Sequence, residues 1–122
     1  MWEEFEFNAP YDGETITEIN GVPLPRSYLD FMRQHNGGEG DIGGTWLALY
    51  PLEELREING DYEMSEALPG YILIGGNGGE EFYGISADGM FFNVPSTLDS
   101  RDLTILCDDM ARFAEKVNQF WA

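Results

Sequence analysis

Glycine and proline set the strongest constraint on what this chain can build. Fifteen glycines and six prolines cut it into short segments, which admit brief strands and helices joined by tight turns. No internal repeat, low-complexity tract or linker divides it. Its 122 residues are enough for one domain around one hydrophobic core.

Residues 2–24 offer two short strands. Phe5 and Phe7 alternate with acids, and Thr15–Ile19 follows a turn at Ala9–Gly13 and precedes another at Asn20-Gly21. Leu24-Pro25 then opens a helix, because proline's missing N–H has no partner to lose in a first turn. Tyr28, Phe31 and Met32 recur at helical spacing beside Leu29, and Asn36-Gly37-Gly38 ends the helix. Gly38 to Gly44 reads as a flexible acidic loop. Thr45–Tyr50 is a strand, and Pro51–Ile58 a short helix stopped by Asn59-Gly60.

Tyr71–Ile74 is an apolar strand followed by a turn at Gly75–Gly79. Glu81–Ser86 and Met90–Val94 form a hairpin about Ala87-Asp88-Gly89, since Asp-Gly favours tight antiparallel turns. Met110, Phe113, Ala114, Val117, Phe120 and Trp121 mark a C-terminal amphipathic helix. Leu103–Cys107 either extends that helix upstream, with Asp102 as its cap, or forms a strand before a helix capped by Asp108. Either way, helices interleaved with antiparallel strands read as α+β.

Charge dominates the surface. Twenty-three acids face six bases, for a net charge of −17. Hydrophobic residues at 43% and aromatics at 14% argue for a folded chain, because disordered chains lack the groups that offset ordering entropy. Six acids and no base occupy the first 25 residues, and eight acids and no base lie between Arg56 and Arg101. Such a surface repels nucleic acid and anionic lipid and draws in basic partners. The acidic N-terminus lacks the basic region of a signal peptide, and no apolar run approaches membrane-spanning length. With one cysteine, a cytoplasmic location is the simplest expectation.

Catalytic groups are sparse. One His and one Cys rule out a Cys/His zinc cluster. His35 falls in the last turn of its helix, where positive charge complements the dipole. Cys107 lies on an apolar stripe and reads as a buried thiol. The Gly75–Gly79 run is followed by Glu80-Glu81 and a strand, not by the helix N-terminus and lysine of a phosphate loop. Glu39-x-Asp41 and Glu80-Glu81 do not match the spaced oxygen ligands of an EF-hand. The sequence therefore calls for no cofactor and no metal. Tyr28, Phe31, Trp46, Phe91, Phe113 and Phe120 fall at core-facing periodicity; Tyr50, Tyr62, Tyr71 and Tyr83 suit an interface.

The order of motifs is telling. Leu24-Pro25-Arg26-Ser27-Tyr28-Leu29-Asp30-Phe31 precedes Asn36-Gly37-Gly38, and a strand ends before Pro51-Leu52-Glu53-Glu54-Leu55. Pro69, Tyr71-Ile72-Leu73-Ile74-Gly75, Asp88-Gly89, Pro95 and an aromatic at Phe113 follow in turn. Over roughly residues 22–121 this pattern resembles the SUKH superfamily, which includes a fungal cell-wall-synthesis regulator of the Smi/Knr type, the bacterial Syd protein and many bacterial immunity proteins. The resemblance implies an antiparallel sheet flanked by helices, no enzymatic activity, and the strand alternative for Leu103–Cys107. Its bacterial branch implies an immunity protein that binds a toxin domain, often a nuclease; the fungal and Syd-type relatives imply a scaffold or adaptor instead. Relatives commonly begin with a helix before the Leu-Pro motif, whereas residues 2–20 read as strand and turn.

Charge and resemblance meet in one expectation. A nuclease presents a basic cleft to grip phosphate, and an acidic protein can occupy it as a competitor. Glu39, Asp41, Glu80 and Glu81, on glycine loops, are the candidate contacts, with Tyr83 as an anchor.

Overall fold

A computed structural model describes residues 1–122. The first strand, β1 (Glu4–Phe7), is followed by a small hairpin of β2 (Glu18–Ile19) and β3 (Val22–Pro23), then by helix α1 (Arg26–Gln34). Strands β4 (Gly38–Asp41) and β5 (Trp46–Leu49) lead into helices α2 (Leu55–Asp61) and α3 (Met64–Ala67). Strands β6 (Tyr71–Gly76), β7 (Glu81–Ser86), β8 (Phe91–Pro95) and β9 (Thr104–Cys107) come next, and α4 (Phe113–Trp121) closes the chain. Seven strands make one sheet in the order β1-β4-β5-β6-β7-β8-β9, each neighbouring pair antiparallel. The fold is α+β.

The two faces of the sheet are treated differently. On one face, Tyr28 and Met32 of α1 and Phe113, Ala114 and Val117 of α4 pack on Phe5, Leu47, Leu49, Ile72, Ile74, Tyr83, Ile85 and Phe91. On the other, Met64 and Leu68 cover Leu73, Phe82, Phe92 and Val94. That second layer stops at β6–β8. Over β1, β4 and β5 the same face is open to solvent, with Glu4, Glu6, Glu39 and Trp46 exposed.

Several segments differ from the sequence expectation, each for a local reason. Gly38–Asp41 is a strand, not a flexible loop, because its glycines admit β1. A Cβ at Gly38 would stand 2.2 Å from the Glu6 carbonyl oxygen, and one at Gly40 2.6 Å from that of Glu4. Phe5 closes down on this glycine track. Helix α2 runs through Asn59-Gly60 to Asp61, since the Asn59 amide is engaged with the neighbouring strand β6 and is not free to cap. Trp46 is 49% exposed rather than in the core: Leu47 and Leu49 take the covered face, and strand alternation turns Trp46 outward. Phe120 likewise lies exposed against Trp121 (ring centroids 5.0 Å apart), beyond the last buried turn of α4 at Val117.

At the C-terminal end the strand alternative holds. Thr104–Cys107 pairs with β8, a 3-10 turn follows at Met110–Arg112, and the cap is Asp109, one residue beyond the expected Asp108. Asp109 accepts from the Ala111 N–H at 2.9 Å. The N-terminal segment is strand and turn, and Asn20-Gly21 forms the β2–β3 turn with φ of +52° and +79°, the left-handed geometry that such hairpins require.

Candidate functional site

The open half-face is built by two alternating sequences. In β1, Phe5 points to the core, which sends Glu4 and Glu6 to the other side. In β4, Gly38 and Gly40 face β1's covered side, and Glu39 and Asp41 project outward. Register then aligns them. Glu4 stands opposite Asp41, and Asp41 opposite Trp46; Glu6 stands opposite Glu39, and Glu39 opposite Ala48. Directly opposed side chains lie about 5 Å apart at Cβ, and like charges there are destabilising. The chain's ion pairs, Met1–Glu3, Arg26–Asp30, Arg101–Asp99 and Arg112–Asp108, leave these four carboxylates without a cation.

Asp41 has a second task. Its Oδ1 accepts the N–H groups of Gly44 (2.7 Å) and Gly43 (2.8 Å), closing the β4–β5 turn. Those bonds hold its carboxyl below the ordinary range, Gly44 contributing most, so it stays ionised.

Beside the acids lies an aromatic groove of about 230 Å³, lined by Ala48, Tyr50, Tyr62, Gly76, Gly78, Gly79 and Phe82. Tyr62 and Phe82 meet edge to face, with ring centroids 4.9 Å apart. Burial, and then neighbouring Tyr62, push the Tyr50 hydroxyl up to about 12. Trp46 borders the groove, since a Cβ on Gly78 would lie 3.9 Å from its Cδ1. The register therefore places Glu39 beside Ala48 on the groove floor and Asp41 beside Trp46 on its rim.

The five candidate contacts separate. Glu39 and Asp41 share the open face. Glu80 is exposed on the β6–β7 turn, where Asn77 Oδ1 accepts its N–H at 3.1 Å; the loop is held rather than pliant. Glu81 and Tyr83 do not belong with them. Both lie within β7, and alternation turns both toward the covered face. Glu81 is 6% exposed and accepts from Asn93 Nδ2 at 2.9 Å; burial raises its pKa. Tyr83 is fully buried, edge-on to Phe113, with its hydroxyl accepting from Trp121 Nε1 at 2.9 Å. It is an internal packing residue, not an exposed anchor. The reading of the sequence missed Glu4, Glu6 and Trp46. The Glu-Phe-Glu-Phe and Gly-Glu-Gly-Asp alternations carried the signal, for each puts its acids on one side of a strand.

The groups most capable of chemistry lie elsewhere. His35 stacks on Phe7 (4.1 Å between rings) with Phe31 at its edge. Cys107 is buried, and burial raises its thiol pKa. A larger polar hollow of about 560 Å³ borders Tyr11, Asp12, Asn36, Glu53 and Glu54. Asn36 is occupied there in holding the chain together: it donates to Glu53 (2.7 Å) and accepts from the Leu52 N–H (2.9 Å).

Known proteins place the chain. It is 35% identical over 74 residues to the uncharacterized protein YnaB of Bacillus subtilis (strain 168), a match that covers 58% of this chain and 47% of that protein. The chain thus spans about half the length of the curated relative it matches. The model of the SMI1 / KNR4 family (SUKH-1) matches residues 14–116, which takes in the β2–β3 hairpin, α1 and the sheet from β4 to β9. By that match, across most of its length, the chain belongs to the SMI1 / KNR4 family (SUKH-1).

Proposed function

We propose that this chain is a non-enzymatic binding domain that neutralises a toxin domain by laying its open sheet face over a basic cleft. The observation that carries the reading is the pair of opposed carboxylates, Glu4 with Asp41 and Glu6 with Glu39, beside the exposed ring of Trp46. A sheet that stacks like charges at a cost, and leaves them unpaired, gains from a cationic partner. Net charge speeds the encounter, and a desolvated aromatic then slows dissociation.

The test is co-expression with the C-terminal domain of any secreted toxin encoded in a neighbouring gene. Growth is expected to be rescued by the native chain and lost when Glu4, Glu6, Glu39 and Asp41 are all changed to Lys. Full protection by that variant sinks this assignment of the face. The match to the SMI1 / KNR4 model also supports a regulatory adaptor; a stable complex without growth rescue favours that reading.

A further inference from the structure

We propose that the groove beside Trp46 receives an arginine side chain of the basic partner, an inference that rests on the reading of the open face as the binding surface. Three observations converge. The groove is walled by Tyr50, Tyr62 and Phe82 and bordered by the exposed Trp46. Its floor is Ala48 and glycine, so no side chain of this protein fills it. Its open side meets Glu39 and Asp41 through direct cross-strand pairing with Ala48 and Trp46.

Each part matches one property of a guanidinium. Its flat, weakly hydrated face stacks on aromatic rings, and its edge offers N–H groups in a fork that fits a carboxylate. An ammonium ion presents a compact, strongly hydrated charge and satisfies only the electrostatic half of the site. An apolar side chain would leave the adjoining carboxylates facing a dry contact without a partner. The charge of the surroundings and the shape of the groove thus select the same occupant.

The probe is a hexa-arginine peptide, titrated at about 150 mM salt, where screening within about 8 Å suppresses diffuse attraction to the acidic surface. Hexa-lysine tests charge alone, and hexa-citrulline tests shape without charge. In the ¹⁵N spectrum of the intact chain, the indole of Trp46 and the amides of Gly76 and Gly78 are expected to move, while the indoles of Trp2 and Trp121 stay in place. Trp46→Ala should weaken hexa-arginine binding roughly tenfold. Tyr62→Leu, at an exposed position, provides a second variant that keeps apolar bulk. Glu39→Gln with Asp41→Asn should weaken binding and flatten its salt dependence. Equal affinity for hexa-lysine, indifference to both aromatic variants, or shifts centred on Glu53 and Glu54 overturns the proposal. The two readings fail separately. A chain that binds hexa-arginine through Trp46 but rescues no toxin keeps the groove and loses the toxin. A Trp46→Ala, Tyr62→Leu double variant that still protects cells fully keeps the toxin and loses the groove.

Discussion

Asn59 does for Leu73 what a neighbouring strand would do. Its Oδ1 accepts the Leu73 N–H at 2.7 Å and its Nδ2 donates to the Leu73 carbonyl at 3.0 Å, while a further bond reaches the Leu55 carbonyl at 2.8 Å. Strand β5 pairs with β6 only at Gly75 and Gly76, so without this amide the buried backbone of Leu73 would face helix α2 unsatisfied.

Replacing Asn59 by Leu keeps the volume and removes all three bonds. Two backbone groups of a buried strand residue then lose their partners, a loss that costs about 2–4 kcal/mol. Urea unfolding should show the midpoint falling with an unchanged slope. A loss below about 1 kcal/mol would mean that water or the helix takes over those groups.

Gly84 leaves room for both neighbouring strands, the backbone of β6 and the Phe92 ring of β8. A Cβ there would stand 2.0 Å from the Ile72 carbonyl oxygen and 2.4 Å from Phe92 Cζ. One obstacle is backbone and the other a fully buried ring, so neither yields cheaply. Gly84→Ala should cost about 3 kcal/mol, at the upper end for overpacking, and should shift the near-UV signal of the aromatic layer. A variant as stable as the native chain would contradict the packing of Phe92 on β7.

What could be read from the sequence follows from where the determining partner lies. Helix α1 and the hairpin at Asp88-Gly89 depend on neighbours within a few residues, and they form where the pattern places them. Strand β4 depends on Phe5, more than thirty residues earlier in the chain, and its glycines look like a loop until β1 is laid against them. The site divides along the same line. Glu39 and Asp41 fall on the open face, and Glu81 falls on the covered one. All are acids in or next to glycine-rich stretches, and only the placement of β7 beside β8 shows that Glu81 meets Asn93. Trp46 is exposed and Tyr83 buried, the reverse of expectation, because both faces of this sheet carry aromatics, so residue type alone does not mark the buried side.

Burial of Glu81 gives the chain a pH-dependent element of stability. Its pKa is raised above the ordinary value of 4.5, chiefly by burial, with the Asn93 hydrogen bond opposing and the charge of Glu80 reinforcing. A raised folded-state pKa means that the folded protein holds more protons than the unfolded one between the two values. Stability from this group therefore falls as pH rises through that interval. Glu81→Gln keeps an acceptor for Asn93 and removes the charge. The variant should be more stable than the native chain at pH 7, with the difference shrinking once pH drops below 4.5. Paired urea titrations at the two pH values read it directly; a difference that grows on acidification would reverse the sign and refute the account.

The open face should show the opposite trade, stability given up for binding. Glu6 and Glu39 are cross-strand partners with no cation between them, and a directly opposed like-charge pair is destabilising by a fraction of a kcal/mol. Glu39→Lys turns repulsion into attraction across β1 and β4, so it should stabilise the chain by roughly 0.5–1 kcal/mol at low salt. Added salt should narrow that gap, because it screens both the repulsion in the native chain and the attraction in the variant. The same change places a positive charge beside Ala48 on the floor of the aromatic groove. It should therefore weaken hexa-arginine binding and cellular protection while thermal stability rises. Gain in one measurement with loss in the other is the outcome a binding face requires. A variant that loses both has disturbed the strand, and one that gains stability with undiminished binding places the partner on another surface.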